Sequence, residues 1–200
     1  MSPALRLADP SQGELVYLGL GSNLGDRLDH LRRALFALAT HPEIHVTAIS
    51  RVFESEYVGP GEQPSYLNAC VEIETSLPPE ILLTVLKGTE DRHGRAPNTH
   101  WLPRPIDLDI LLYGDRTSRS QNLTLPHPQL CLRGFVLEPL HDIVPNLRIP
   151  NSSETVTTAC ARIRRVGGPW VRVHRGGALL PQKWAQGKED WRGALAVHCR

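Results

Sequence analysis

Two strand-like runs, Ile44 to Tyr57 and Tyr66 to Thr75, follow one another with no helical segment between them, only the loop "VGPGEQPS" at 58–65. The first run is rich in β-branched and aromatic residues and reads as one long strand. The second alternates, with Leu67, Ala69, Val71 and Ile73 on one face and Tyr66, Asn68, Cys70 and Glu72 on the other. A direct strand-to-strand step breaks the strand–helix alternation of a doubly wound parallel sheet. On its N-terminal side, Val16, Leu18 and Leu20 share one face of a strand, and Asp26 can cap a helix carrying Leu28, Leu31, Leu35 and Leu38. His41-Pro42 ends that helix. On the other side, Pro78-Pro79 opens a helix striped by Leu82, Val85 and Leu86, Gly94 closes it, and "IDLDILLY" (106–113) is a further strand. The order β-α-β-β-α-β is that of a ferredoxin-like α+β sandwich. "RGFVLEPLHDIVP" and "SETVTTACARI" read as short helices added C-terminal to it.

Size and charge agree with one principal unit. Two hundred residues can bury a sizeable core without a metal or disulfide staple, and a net charge of +1 favours no strongly charged partner. Cys70, Cys131, Cys160 and Cys199 are scattered, which reads as free thiols in a reducing compartment. No apolar run is long enough to span a membrane, and the N-terminus lacks the apolar stretch of a signal peptide, so the expected setting is the cytoplasm. Composition shifts near residue 162. Residues 162–200 hold nine Lys and Arg against two acids, Glu189 and Asp190, together with Trp170, Trp184 and Trp191. We therefore expect a main domain over 14–165 and a basic extension over 166–200 with no sustained period of its own, dispensable for chemistry. Basic residues interleaved with aromatics are one way to contact nucleic acid, but a solvated or packed appendage is the favoured reading.

The first candidate for chemistry is "LGLGSNLGD" (18–26), a strand running through glycines into a helix, which is how phosphate-binding loops are built. Its glycines, Gly19, Gly21 and Gly25, miss the dinucleotide spacing by one place, and no Walker-type sequence occurs in the chain. It reads instead as a tight turn capping a helix, with Asn23 in a backbone conformation that few residues tolerate.

The second is "RPIDLDILLY" (104–113). In a strand, Asp107 and Asp109 project from one face while Ile106, Leu108 and Ile110 turn to the core. Two carboxylates about 6 Å apart repel by roughly 3 kcal/mol at an effective dielectric near 20. Such a pair is tolerated if it is solvated, if arginines neutralise it, or if it binds a hard cation such as Mg²⁺, completed by water and phosphate oxygens. Arg95, Trp101 and Arg104 precede it, and His127 and Arg133 follow it. The arginines either salt-bridge the aspartates or meet a polyphosphate beside the metal. Tyr66, Asn68 and Phe135 offer two rings and an amide, which suits a flat heterocycle and equally suits core and turn.

Taken together, "YLGLGSNLGDR", "GPGEQPSYLNACVEIET", "WLPRPIDLDILLYG" and "LPHPQLCLRGFVLEPL" resemble the 6-hydroxymethyl-7,8-dihydropterin pyrophosphokinases of folate biosynthesis, in order, from about residue 15 to 160. The resemblance implies an ATP-dependent diphosphotransferase that moves diphosphate from ATP to the pterin's hydroxymethyl oxygen and releases AMP. It implies two Mg²⁺ ions on Asp107 and Asp109, and catalytic arginines at Arg95 and Arg104. The pterin pocket would be lined by Ser55, Glu56, Val58, Tyr66, Asn68 and Phe135. ATP contacts would fall at Glu90, Arg95, Trp101, Arg104, Ile110, His127 and Arg133. The partners expected are ATP and the hydroxymethyl-dihydropterin, with no nucleic acid and no membrane, and the protein is expected to act as a monomer. Three positions depart from the family pattern: Pro97 replaces a second loop arginine, Leu102 a common glycine, and Pro128 a common tyrosine. The first bears on loop closure and turnover rather than on substrate.

Overall fold

The computed structural model describes residues 13–94, 101–176 and 179. In chain order the elements are β1 (Glu14–Ser22), α1 (Arg27–Ala39), β2 (Ile44–Ile49), β3 (Phe53–Ser55), β4 (Tyr66–Thr75), α2 (Pro79–Arg92) and β5 (Asp107–Tyr113). There follow a small hairpin of β6 (Ser118–Arg119) and β7 (Thr124–Leu125), a 3-10 turn at Leu130–Leu132, α3 (Gly134–Ile143), α4 (Val156–Val166) and β8 (Val171–Val173). The main sheet runs β5-β1-β4-β3-β8, with β2 also pairing β4, and every pairing is antiparallel. This is the β-α-β-β-α-β sandwich that the periodicity indicated.

Local chemistry sets the helix ends. The Asp26 side chain accepts from the Asp29 N–H at 3.0 Å and starts α1, whose buried Leu31, Ala34, Leu35 and Leu38 recur at helical spacing. Proline at the first turn starts α2, which buries Leu82 and Leu86, and Gly94 takes the left-handed conformation just past its end (φ +81°). Both helices pack on the sheet face formed by Val16, Leu18, Leu20, Leu67, Val71, Ile73 and Leu108.

The long strand expected over 44–57 is two strands. Ser50 interrupts it, donating its N–H to the Cys70 carbonyl and accepting the Cys70 N–H on Oγ, each at 2.9 Å. Arg51 then turns outward and sets its guanidinium on Asp142 of α3, at 2.6 to 3.1 Å. The break comes from these tertiary partners, which composition does not reveal.

The opposite sheet face is also covered. Tyr17, Cys70, Leu111 and Leu112 pack under Leu137 and Leu140 of α3 and Val156, Ala159 and Cys160 of α4. Buried Glu72 is satisfied there by the Tyr17 hydroxyl and Thr47 Oγ1, both donating at 2.8 Å. The added helices thus form a third layer over half of that face. The end of the sheet near Gly21, Asn68 and Asp107 lies beyond them, and there a cleft opens.

Beyond residue 165, where a solvated or packed appendage was expected, the described residues are packed: β8 joins the sheet beside β3, and Leu179 is buried in the α1/α2 core. Cys70, Cys131 and Cys160 are free thiols; Cys199 lies outside the described residues. Among the described residues no helix is long and apolar enough to cross a membrane.

Candidate active site

The cleft has a volume of about 250 Å³. Its floor is one row of the sheet, in which Gly21 of β1 stands between Asp107 of β5 and Asn68 of β4. The next row sets Gly19 between Asp109 and Cys70. Adjacent strands lie about 4.8 Å apart, so Asn68 and Asp107 are roughly 10 Å apart across a glycine that fills nothing. A Cβ on Gly21 would stand 3.5 Å from the Tyr66 ring and 3.6 Å from Asn68 Oδ1, in the open floor of the site. The glycines of the opening loop therefore keep a sheet surface clear between an amide and two carboxylates.

Asn23 does not have the unusual backbone expected of it. Among the described residues outside glycine, only Trp101 and Asn151 have positive φ, and the left-handed residue of the turn is Gly25 (φ +63°). Asn23 works through its side chain. Its Oδ1 accepts the Arg104 N–H at 2.8 Å and its Nδ2 donates to Gln63 Oε1 at 3.0 Å, while its own N–H donates to the Arg104 carbonyl at 3.2 Å. Gln63 in turn donates to the Trp101 carbonyl. One buried amide thus joins the β1–α1 turn, the 58–65 loop and the segment entering β5. Trp101 is held with φ +63°, a conformation unfavourable for a bulky residue, and its ring covers Gly59, where a Cβ would come within 2.7 Å.

On the amide side, Asn68 is 5% exposed and donates from Nδ2 to Ser55 Oγ at 2.9 Å, leaving Oδ1 toward the cleft. Ser55, Glu56, Val58, Tyr66 and Phe135 all line the same space. Tyr66 stacks on Tyr57, with ring centroids 6.4 Å apart and planes 16° from parallel. Tyr57 is a wall residue that the sequence reading missed; its place beside the glycine-proline loop was the available signal. The Arg133 guanidinium lies over the Phe135 ring at 5.5 Å.

On the carboxylate side, Arg104 pairs with Asp107 at 3.2 Å, and its Nε is buried without a hydrogen-bond partner in the protein. Burial, and then the Asp107 charge, push the Asp109 carboxyl above the usual carboxylate range. Burial holds the His127 imidazole below its ordinary value, against the pull of Asp109. His127 is fixed by its N–H donating to the Leu111 carbonyl (2.9 Å) and by Nδ1 accepting the Gln129 N–H (3.1 Å). Among the described residues no group of three or more metal-binding side chains exists, and those lining this side of the cleft offer the two carboxylates Asp107 and Asp109. That donor set suits Mg²⁺, which keeps several ligand positions for water and phosphate oxygens. The unpartnered Arg104 donor suits an anion beside it.

The expected ATP contacts divide. Trp101, Arg104, His127 and Arg133 line the cleft. Ile110 is buried in the core shared with α1 and α2. Glu90 is 2% exposed and braces β5 from behind, accepting the Leu108 N–H at 2.7 Å and Lys87 Nζ at 2.9 Å. Arg95 and Pro97 lie outside the described residues.

The family model for 7,8-dihydro-6-hydroxymethylpterin-pyrophosphokinase matches residues 17–145. A Synechocystis 2-amino-4-hydroxy-6-hydroxymethyldihydropteridine pyrophosphokinase is 36% identical over 200 residues, covering 99% of this chain and all of that protein. The Bacillus subtilis protein of the same name is 42% identical over 129 residues, 64% of this chain and 77% of its own. Among solved structures, an HPPK-DHPS crystallised with substrates superposes with a TM-score of 0.61 at 14% identity over 75% of this chain. The Plasmodium falciparum wild-type HPPK-DHPS gives 0.60 at 15% identity. This chain spans 44% of the length of each of those solved chains, and at such identities the likeness speaks for the fold.

Proposed function

The chain belongs to the 7,8-dihydro-6-hydroxymethylpterin-pyrophosphokinase family, and we propose that its cleft performs the family's reaction with the two halves of its floor in separate roles. The enzyme is an ATP-dependent diphosphotransferase of folate biosynthesis: it transfers diphosphate from ATP to 6-hydroxymethyl-7,8-dihydropterin, giving AMP and the pterin diphosphate. In our reading the pterin lies on the amide side. Asn68 reads its polar edge, Tyr66 and Phe135 face its rings, and Ser55, Glu56 and Val58 supply the rim. The triphosphate lies on the carboxylate side, met by Arg104, His127 and Arg133, with Trp101 closing over the boundary; Arg95, which the family resemblance assigns to ATP, lies outside the described residues. Glu90 supports the ATP side from behind β5, and Ile110 from the core face of that strand.

The pterin hydroxymethyl oxygen forms a bond to the β-phosphorus, the bond from that phosphorus to the α–β bridging oxygen breaks, and AMP leaves with the electron pair. The hydroxyl proton is released in the same step. Such transfers ask the protein for position and charge neutralisation more than for covalent work. Asp107 and Asp109 would hold Mg²⁺, two ions in this reading, whose charge offsets that developing on the phosphates. Arg104 contributes its buried, unpartnered Nε–H at the same place.

The observation that carries this reading is the row Asp107–Gly21–Asn68, which sets a carboxylate and an amide one clear strand apart. Incubation with ATP, Mg²⁺ and the hydroxymethyl-dihydropterin should release AMP in step with pterin diphosphate. Formation of ADP, or no turnover at all, would overturn the reading.

A further inference from the structure

The segment after α4 lies beyond residues 17–145, and the reaction as described does not use it. It is nonetheless built into both walls of the cleft. On one side β8 pairs antiparallel with β3, placing Ser55 opposite Val171, Glu54 opposite Arg172 and Phe53 opposite Val173. The pairing continues past the strand ends, where the Glu56 N–H donates to the Trp170 carbonyl at 3.2 Å and the His174 N–H to the Val52 carbonyl at 2.8 Å. The backbone carrying Ser55 and Glu56 is therefore held along its outer edge. On the other side, Val171 Cγ2 lies 3.5 Å from where a Cβ of Gly134 would sit, between Arg133 and Phe135.

Side chains tie the same segment to the rim. The Glu54 carboxylate accepts from Arg172 at 2.9 Å, from Ser65 Oγ at 2.9 Å and from Arg27 at 3.2 Å. Arg27 also donates to the Ser65 carbonyl at 2.7 Å, one residue before Tyr66. A three-residue strand such as β3 is short for an independent sheet edge, and β8 covers that edge.

We propose that residues 170–174 are a strap that positions the pterin half of the cleft, with Arg172 as its anchoring positioning residue. The inference rests on the pterin reading above, because the strap pairs with Ser55 and Glu56 and packs against Gly134, the residue before Phe135. Asp107 and Asp109 stand on β5, separated from β3 by β4 and β1, and His127 is held by the Leu111 carbonyl of β5. Loosening the strap should therefore weaken pterin binding while leaving ATP binding alone.

Trp170 and His174 direct main-chain groups at β3, so by the two-residue period of a strand Arg172 does too. Arg172→Pro removes that donor at the centre of the strap. Arg172→Ala removes only the guanidinium, and Arg172→Lys retains a cation. Calorimetry on the full-length variants would measure Kd for the hydroxymethyl-dihydropterin and, separately, for a non-hydrolysable ATP analogue with Mg²⁺. We expect Arg172→Pro to weaken pterin binding roughly 5- to 30-fold, Arg172→Ala to weaken it less, and Arg172→Lys to restore most of the loss. ATP-analogue binding should stay within about twofold, because the strap's backbone ladder holds Ser55 and Glu56 and it meets the Arg133 side only through the Gly134 contact. Unchanged pterin affinity in Arg172→Pro, or equal weakening of both ligands, overturns the strap. Should that variant fail to fold, unchanged pterin affinity in Arg172→Ala does the same. Asn68→Ala separates the two claims. If it leaves pterin binding intact, the pterin reading itself falls; if it alone weakens pterin, only the strap does.

Discussion

Gly21 holds two chemistries apart by the width of one strand, and the residues on either side were legible in the sequence to different degrees. Asp107 and Asp109 were plain because a two-residue period in a strand fixes a shared face. Their electrostatics follow from the same geometry, since burial and mutual repulsion hold the Asp109 carboxyl above its usual range. Replacing Asp109 by Asn keeps shape and one oxygen while removing the charge. AMP release at saturating substrates should then fall on the order of 10²- to 10⁴-fold, as for loss of a preorganised electrostatic group. Melting without Mg²⁺ should be unchanged or higher, because a like-charge contact is gone. Asp107→Asn should cost similar turnover without that gain, because Arg104 loses its 3.2 Å partner. Mutants that lose stability but keep turnover would make the pair a structural salt-bridge hub. Glu90 and Ile110 were less legible, since their positions matched a motif and only the fold could show both to be buried, Ile110 on the core face of β5 and Glu90 on α2 behind it.

At the scale of elements, periodicity gave the β-α-β-β-α-β order, because each helix and strand carries its own apolar spacing. What stayed hidden depended on residues far apart in the chain. The break between β2 and β3 needs Cys70 and Asp142. The coverage of the second sheet face needs α3 and α4, which pack on a strand face showing only Cys70 and Glu72 beside two polar site residues. The clamp at Asn23 needs two loops 40 and 81 residues away. Asn23→Ala would leave the Arg104 N–H without its acceptor, at a cost of about 1–3 kcal/mol. Because the clamp joins the pterin-side loop to the segment entering β5, KM for both substrates should rise together, with a lower melting temperature. A rise confined to one substrate would show that the clamp serves one half only. This pattern distinguishes Asn23 from Asn68, whose loss should affect the pterin alone.

For the whole molecule, the knot at Glu54 matters most, because it joins the C-terminal strand, the start of α1 and the end of the 58–65 loop. Arg172 first, with Ser65 and Arg27, draws the Glu54 carboxyl down to about 2 against the opposing effect of burial. A folded-state value below the unfolded one means that the charged form favours the folded chain. That contribution is complete above the ordinary carboxylate value near 4.5 and is lost as pH falls toward about 2. Other carboxylates titrate in the same range, so the decisive quantity is the difference between wild type and Glu54→Gln. At pH 7 the variant should be less stable by roughly 1–3 kcal/mol, the range for hydrogen bonds to a charged group in a partly solvated setting. The gap should narrow steadily as pH falls from about 4.5 and close only below about 2, where folded wild-type Glu54 has passed half protonation. Chemical denaturation at a series of pH values measures both curves. A gap independent of pH would mean that Glu54 contributes shape rather than charge, and that the strap is held by its backbone ladder alone.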